Sequence, residues 1–168
     1  MCCVYIFILG LDMSALEYDH PFDSELCILL NTFLKRQMSP VCLIAHNGHS
    51  FDFPLLKAEL IAIGESLPED VLCGDSLAAF RDLEENTSMT CVAEQSSSHP
   101  PKGTNRMSYA LGNVYRRVMG VALDNAHNAE ADCLALVQLC HKKSQIIIKW
   151  FDNHNTKFDD VAPMYVKG

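Results

Sequence analysis

Short apolar runs alternate along this chain with segments of helical periodicity, and this alternation limits the possible folds more than any other feature. Residues 22–36 place apolar side chains at spacings of three and four residues, which predicts a helix. Val41–Ala45 is a short, continuous apolar run that predicts a buried strand. Residues 52–63 predict a second helix, which Gly64 ends. Such a chain folds into layers of helix and sheet around one core.

The same alternation continues toward the C-terminus. Residues 71–73 predict a second core strand, and residues 77–83 predict a short helix. Residues 108–119 and 129–150 predict two further helices, the second being the longest in the chain. Between these elements, residues 85–106 are polar, contain four serines and two prolines, and lack periodicity, so we predict a flexible surface loop there.

Length, charge and cysteine content exclude several classes of protein. A chain of 168 residues suits a single domain over residues 1–168. Thirteen Lys and Arg against 21 Asp and Glu give a net charge of −8, which argues against a protein that coats nucleic acid by bulk charge. The eight cysteines form no C-x-x-C pair and predict reduced thiols of an intracellular protein. The apolar run at residues 4–8 is too short to span a bilayer and predicts a buried strand.

The segment from His127 to Asp132 is the sharpest candidate for chemistry. If a helix starts near Asn128, Asp132 projects from its first turns while His127 lies in the less constrained segment ahead. A carboxylate placed there can hold a divalent cation, and an imidazole beside it can take a proton from water. Alternatively, Asp132 and Glu130 favour the helix dipole and His127 is a surface residue, an interpretation that spacing alone favours.

A second candidate follows the strand at Val41–Ala45. A glycine-containing loop, His46 to Ser50, leads from this strand into the helix that Asp52 opens. Ligands of open α/β sheets gather at the carboxyl ends of strands, so Asp52 is a possible second metal ligand. Its alternative role is an N-cap, which by itself is the more common one for such an aspartate.

Taken together, these segments resemble a known family. The runs AHNGHSFDFPLLKAEL, GDSLAAF, SYALGNVYRRVMG and HNAEADCLALVQLC, with the closing IKWFDNHNTKFDDVAPMY, are similar to the three-prime repair exonucleases, the TREX family. These belong to the DEDDh branch of the RNase H-like 3′→5′ exonucleases. The likeness runs from about residue 9 to residue 165. It implies an α/β RNase H-like exonuclease fold, with a mixed central sheet flanked by helices.

The resemblance also implies a reaction and the residues that perform it. Asp52 is similar to the aspartate of the second exonuclease motif, and His127 and Asp132 are similar to the histidine and aspartate of the third. His127 would be the general base, and the two aspartates would bind metal. Two Mg²⁺ ions are expected, for which Mn²⁺ can substitute. The implied products are 5′-mononucleotides released from DNA 3′ ends.

Substrate contacts and partners follow from the same resemblance. Phe51 stands where relatives place an aromatic side chain near the terminal nucleotide, and Asn47 is assigned to the substrate with it. Lys102 and Arg106 lie in the polar loop, which resembles a DNA-contacting loop of relatives, and could contact phosphates. The family suggests a homodimer. No membrane segment is expected, so we predict a soluble protein of the nucleus or cytoplasm.

One motif of the family is absent from this sequence. The first motif of the family is a D-x-E on its first strand, and the strand-like run that opens this sequence carries no acid. We therefore expect a truncated exonuclease domain that lacks the first strands of the sheet and two acidic metal ligands. The alternative function is a catalytically inactive module that binds DNA ends or dimerises.

Overall fold

The computed structural model describes residues 2–4, 21–92, 107–124 and 129–166. In this part of the chain, helices and short strands alternate. The elements are β1 (Cys2–Val4), α1 (Ser24–Lys35), β2 (Val41–Ala45), α2 (Asp52–Ala62), β3 (Val71–Asp75), α3 (Ser76–Val92), α4 (Leu111–Met119), α5 (Ala129–Lys142), α6 (Ser144–His154) and β4 (Thr156–Lys157), followed by a 3₁₀ turn, Phe158–Asp160.

The strands form one mixed sheet with the order β1-β2-β3-β4. The first three strands are parallel, and β4 is antiparallel to β3. The predicted α/β class, with a mixed sheet flanked by helices, is confirmed. In the β2–β3 register Ala45 pairs with Asp75, so the carboxyl ends of these two strands are level. The residues that follow both strands therefore lie at one edge of the sheet.

Two apolar clusters cover the two faces of the sheet. Along β2, side chains alternate between them: Val41, Leu43 and Ala45 face one cluster, whereas Cys42 and Ile44 face the other. The first cluster draws on α1, α2 and the 3₁₀ turn, and the second on α3, α4, α5 and α6. Burial on both sides explains why β2 is apolar without interruption.

Helix boundaries follow local signals in two clear cases. Asp23 caps α1, because its carboxylate accepts a hydrogen bond from the backbone N–H of Leu26 at 2.9 Å. Gly120 ends α4 in a left-handed conformation, with φ of 79°, as predicted. Both signals involve neighbours in sequence, so they are visible without the tertiary structure.

Three predicted elements differ from the structure. Helix α3 continues through Val92, so residues 85–92 are helical and were wrongly assigned to the loop; residues 93–106 lie outside the described part. The predicted helix at residues 129–150 is two helices that meet at Lys143. Of the predicted strand at residues 4–8, only Val4 is described, as the last residue of β1.

Candidate functional site

Asp75 lies at the carboxyl end of β3 and organises this edge of the sheet. It is only 6% exposed. Its Oδ1 atom accepts hydrogen bonds from the backbone N–H groups of Asn47 and Leu77, both at 2.9 Å, and its Oδ2 atom accepts one from His49 at 3.3 Å. Charged acceptors form strong hydrogen bonds with backbone N–H groups. One buried carboxylate thus joins the loop after β2 to the first turn of α3.

The loop after β2 is a tight turn that depends on two special backbone positions. Asn47 has φ of 65°, in the left-handed region that asparagine tolerates better than most residues. Gly48 packs closely: a Cβ there would lie 2.6 Å from the ring of Phe53 and 2.7 Å from Cβ of Ala45. Asparagine and glycine are therefore required at these positions by conformation and by space.

This turn leads directly into α2 and sets the position of Asp52. The carbonyl of Gly48 accepts hydrogen bonds from the backbone N–H groups of Phe51 and Phe53, at 3.3 and 3.0 Å. The N-cap residue is Phe51, whose side chain makes no capping hydrogen bond. Asp52 is the first helical residue, so the alternative that it is the N-cap is wrong.

The two candidate metal ligands, Asp52 and Asp132, both act electrostatically on Cys133. Asp52 and Asp132 are both half-buried in the first turns of their helices, α2 and α5. Burial raises the pKa of the Cys133 thiol to about 11, and the negative charges of Asp132 and Asp52 contribute to this rise. Burial also raises the pKa of Asp52 itself, with a further contribution from Asp75. The charges of Asp52, Asp75 and Asp132 therefore contribute to the raised pKa values of Cys133 and Asp52.

His46 connects this region to the segment that follows residue 106. Its Nδ1 atom lies 2.9 Å from Oγ of Ser76, and its Nε2 atom lies 2.8 Å from the carbonyl oxygen of Tyr109. A carbonyl can only accept, so Nε2 donates and Nδ1 accepts from the serine hydroxyl. Burial lowers the pKa of His46, opposed by the Tyr109 carbonyl and by the charges of Asp75 and Asp132. The geometry therefore suits a neutral imidazole.

The remaining predicted site residues are placed as follows. Phe51 is 52% exposed at the start of α2, and Asn47 is exposed in the turn before it. His127, Lys102 and Arg106 lie outside the described residues. Asp52, Phe51 and Asn47 therefore lie at the start of α2 or in the loop before it, and Asp132 lies in the first turn of α5.

The guanidinium of Arg117 is engaged in contacts within the fold. The guanidinium of Arg117 makes an ion pair with Glu84 at 2.8 Å and donates to the carbonyl of Ser108 at 2.7 Å. It also lies over the ring of Tyr109, 5.3 Å from the ring centroid. Arg117 therefore holds the chain around residues 108–109 against α3.

The described residues fit a cation site of limited size. Within the described ranges, no group of three or more His, Cys, Asp or Glu side chains could hold a metal ion together. The raised pKa of Cys133 makes that side chain a neutral thiol rather than a thiolate ligand. Asp52 and Asp132 are hard oxygen donors, and Mg²⁺ commonly binds one or two carboxylates and completes its shell with water and phosphate. The pair suits one such ion.

Asp75, His46 and Ser76 were not among the predicted site residues. Only one signal was available, an aspartate and a serine between a strand and a helix, which is typical of a helix start. Their hydrogen bonds join residues that are 26 to 63 positions apart, so local patterns could not reveal them.

Comparison with known proteins gives relatives that are all named as exonucleases. Three-prime repair exonuclease 1 is 45% identical over 146 residues in Bos taurus and 41% identical over 145 residues in Homo sapiens. Three prime repair exonuclease 2 of Homo sapiens is 34% identical over 145 residues. Each match covers 86% of this chain. No family model matches the chain.

The chain spans about half the length of these relatives. It covers 43% of the two exonuclease 1 sequences and 57% of the exonuclease 2 sequence. The predicted family resemblance is confirmed, and the mixed α/β architecture agrees with the RNase H-like exonuclease fold that it implies. Among the described helices, none combines the length and the apolar character needed to cross a membrane.

Proposed function

Because the chain is related by sequence to the three-prime repair exonucleases, we propose that it is a 3′→5′ DNA exonuclease that depends on a divalent metal ion and releases 5′-mononucleotides. The observation that best supports this function is the place of Asp52, which opens α2 directly after the loop that leaves the carboxyl end of β2. Asp132, which is also expected to bind metal, lies in the first turn of α5, and both carboxylates contribute to the raised pKa of Cys133. Substrates of open α/β proteins bind at the carboxyl ends of the strands.

Asp52 and Asp132 would hold Mg²⁺, or Mn²⁺ in its place. The family resemblance implies a second ion, which would need ligands beyond these two carboxylates, such as water and the substrate phosphate. When bound, such cations stabilise negative charge on the phosphate oxygens during hydrolysis. The half-buried position of both carboxylates supports this role, because a partly desolvated anion gains more from a nearby cation than an exposed one does.

The other residues would orient the DNA end and move a proton. His127 would take a proton from the attacking water as a neutral imidazole. The ring of Phe51 is exposed beside Asp52 and could stack on the terminal base, with Asn47 beside it. Lys102 and Arg106 would contact phosphates. A homodimer and a nuclear or cytoplasmic location belong to the same proposal, on the family likeness alone.

A second function has one observation in its favour. The described residues contain no metal-holding group of three or more side chains, and the strand-like run that opens the sequence carries no D-x-E. A chain with two carboxylates could bind a DNA end, or a second copy, without hydrolysing the DNA. This inactive module is the alternative proposal.

The test is release of nucleotide from single-stranded DNA labelled at its 3′ end, with Mg²⁺ or Mn²⁺. An exonuclease releases labelled mononucleotide, and His127→Ala, Asp52→Ala and Asp132→Ala each reduce the rate by a factor of about 100 or more. Asp70→Asn, a charge change at an exposed aspartate at the other end of β3, keeps the rate. Binding of the DNA without release supports the inactive module.

A further inference from the structure

The loop that precedes Asp52 is fixed by hydrogen bonds to residues at the end of another strand and the start of another helix. Its residues Asn47 and His49 donate backbone N–H groups to Asp75, and the imidazole of His46 bonds the hydroxyl of Ser76. Asp75 and Ser76 are consecutive residues at the junction of β3 and α3. Both are buried, at 6% and 0% exposure. The loop thus has three attachments to one rigid junction.

A chain of backbone hydrogen bonds carries this constraint to Asp52. Asp75 holds the N–H groups on either side of Gly48. The carbonyl of Gly48 then accepts from Phe51 and Phe53, the neighbours of Asp52 on both sides. With its two flanking N–H groups bonded to one carbonyl, the Asp52 backbone has little freedom to rotate.

We propose that Asp75 is a positioning residue, which fixes the loop at residues 46–49 and thereby holds the Asp52 carboxylate in the orientation that binds a cation. This inference rests on the proposed function, since it assigns Asp75 a part in the same site. Asp75 is buried and its carboxylate faces three backbone N–H groups, so the part assigned to it is to orient the loop rather than to bind the cation. A supporting shell that orients a metal ligand commonly changes metal affinity by a factor of about 10 to 100.

The carboxylate at position 75 cannot be replaced without loss by the nearly isosteric amide. An asparagine there keeps one acceptor oxygen but presents an NH₂ group to a backbone N–H, which is a donor facing a donor. Asp75→Asn should therefore release one side of the loop while leaving the apolar clusters unchanged. Ser76→Ala removes the hydroxyl on His46 and should loosen the same loop to a smaller extent.

The experiment measures Mn²⁺ affinity by electron paramagnetic resonance for the 168-residue chain and three variants. Asp75→Asn is expected to bind Mn²⁺ at least about tenfold more weakly, and Ser76→Ala a few-fold more weakly. Asp70→Asn is the matched control, with the same substitution at an exposed aspartate before β3, and should bind like the unmodified chain. Nucleotide release by Asp75→Asn should recover as the Mn²⁺ concentration is raised, which a general loss of folded protein would not allow.

The possible results distinguish a failure of the proposed function from a failure of the positioning role of Asp75. If the unmodified chain binds no Mn²⁺ and releases no nucleotide, the proposed function fails. If it binds Mn²⁺ and Asp75→Asn binds equally well, the positioning role of Asp75 is overturned and the proposed function stands. If Asp75→Asn shows no cooperative unfolding transition, Ser76→Ala decides in its place, and Mn²⁺ affinity equal to that of the unmodified chain then rejects the inference.

Discussion

Asp75 and Asp52 lie at the same edge of the sheet, yet their surroundings differ completely. Asp75 is buried and accepts hydrogen bonds from three backbone N–H groups. Asp52 is half-buried, and both burial and the charge of Asp75 raise its pKa. The fold therefore surrounds one aspartate with hydrogen-bond donors, whereas it raises the pKa of the other. A carboxylate that the fold disfavours is the one expected to gain from a bound cation.

The largest expected effect is a difference in the free energy of unfolding between variants of Asp75 and of Asp52. Asp75→Ala leaves three N–H groups without their acceptor, two of them in the loop after β2, and should lower the free energy of unfolding by about 3 kcal/mol. Asp52→Ala removes a disfavoured charge and should change it by less than about 1 kcal/mol. Urea unfolding of both variants measures the difference. Equal losses would contradict the assignment of a supporting role to Asp75 and of a cation-binding role to Asp52.

A smaller loss is expected at Gly48, which lies between the two N–H groups that Asp75 holds. Gly48→Ala would place a Cβ 2.6 Å from the Phe53 ring, and should cost about 2 kcal/mol through overpacking. Gly112→Ala is the matched control, because a Cβ there meets nothing within 4 Å. Thermal unfolding of the two variants tests this, and similar melting temperatures would show that the turn can relax.

The pH dependence of stability should reveal the neutral state of His46. Its pKa is lowered in the folded chain, first by burial. A lowered pKa means that the contribution of His46 is present above its unfolded value of about 6.5 and is lost as the pH falls below that value. His46→Gln should therefore flatten the loss of stability between pH 7 and pH 5, measured by urea unfolding. An unchanged pH profile would count against the neutral imidazole.

The smallest effect on stability is expected at Asp159, an exposed aspartate that contrasts with the buried Asp75. Asp159 pairs with Lys57 at 3.3 Å, and its side chain is 45% exposed. Asp159→Asn should lower the free energy of unfolding by no more than about 0.5 kcal/mol, and less in high salt. Unfolding at two salt concentrations measures this. A loss comparable to that of Asp75→Ala would show that exposure is a poor guide to the importance of an aspartate in this chain.

Local sequence patterns predicted the elements better than their junctions. The apolar run at Val41–Ala45 and the periodicity of residues 52–63 match β2 and α2 closely, because both patterns record burial against one core. The meeting of α5 and α6 at Lys143 was missed, because no glycine or proline marks it. The helical start of the polar segment was missed too, since composition describes solvent exposure rather than backbone conformation.

In the candidate site, too, residues with a local sequence signal were predicted and residues joined by long-range contacts were missed. Asp52 and Asp132 were found from their places ahead of apolar helices and from the family resemblance. Asp75 was not among the predicted site residues, and the N-cap alternative for Asp52 was wrong because the turn at Gly48 makes Phe51 the cap residue. Hydrogen bonds between distant residues leave no periodic trace in a sequence.

By itself, the sequence determined the alternation of helix and strand, the burial of β2 on both faces and the relationship to an exonuclease family, because each of these depends on the order of residue types along the chain. Only the tertiary structure decided which carboxylate supports the loop and which one remains partly open beside Cys133. The reason is that a side chain's charge is stabilised or disfavoured by the groups that the fold brings around it. Asp52 and Asp75 are the same residue type, and they differ because the backbone N–H groups of one loop point at only one of them.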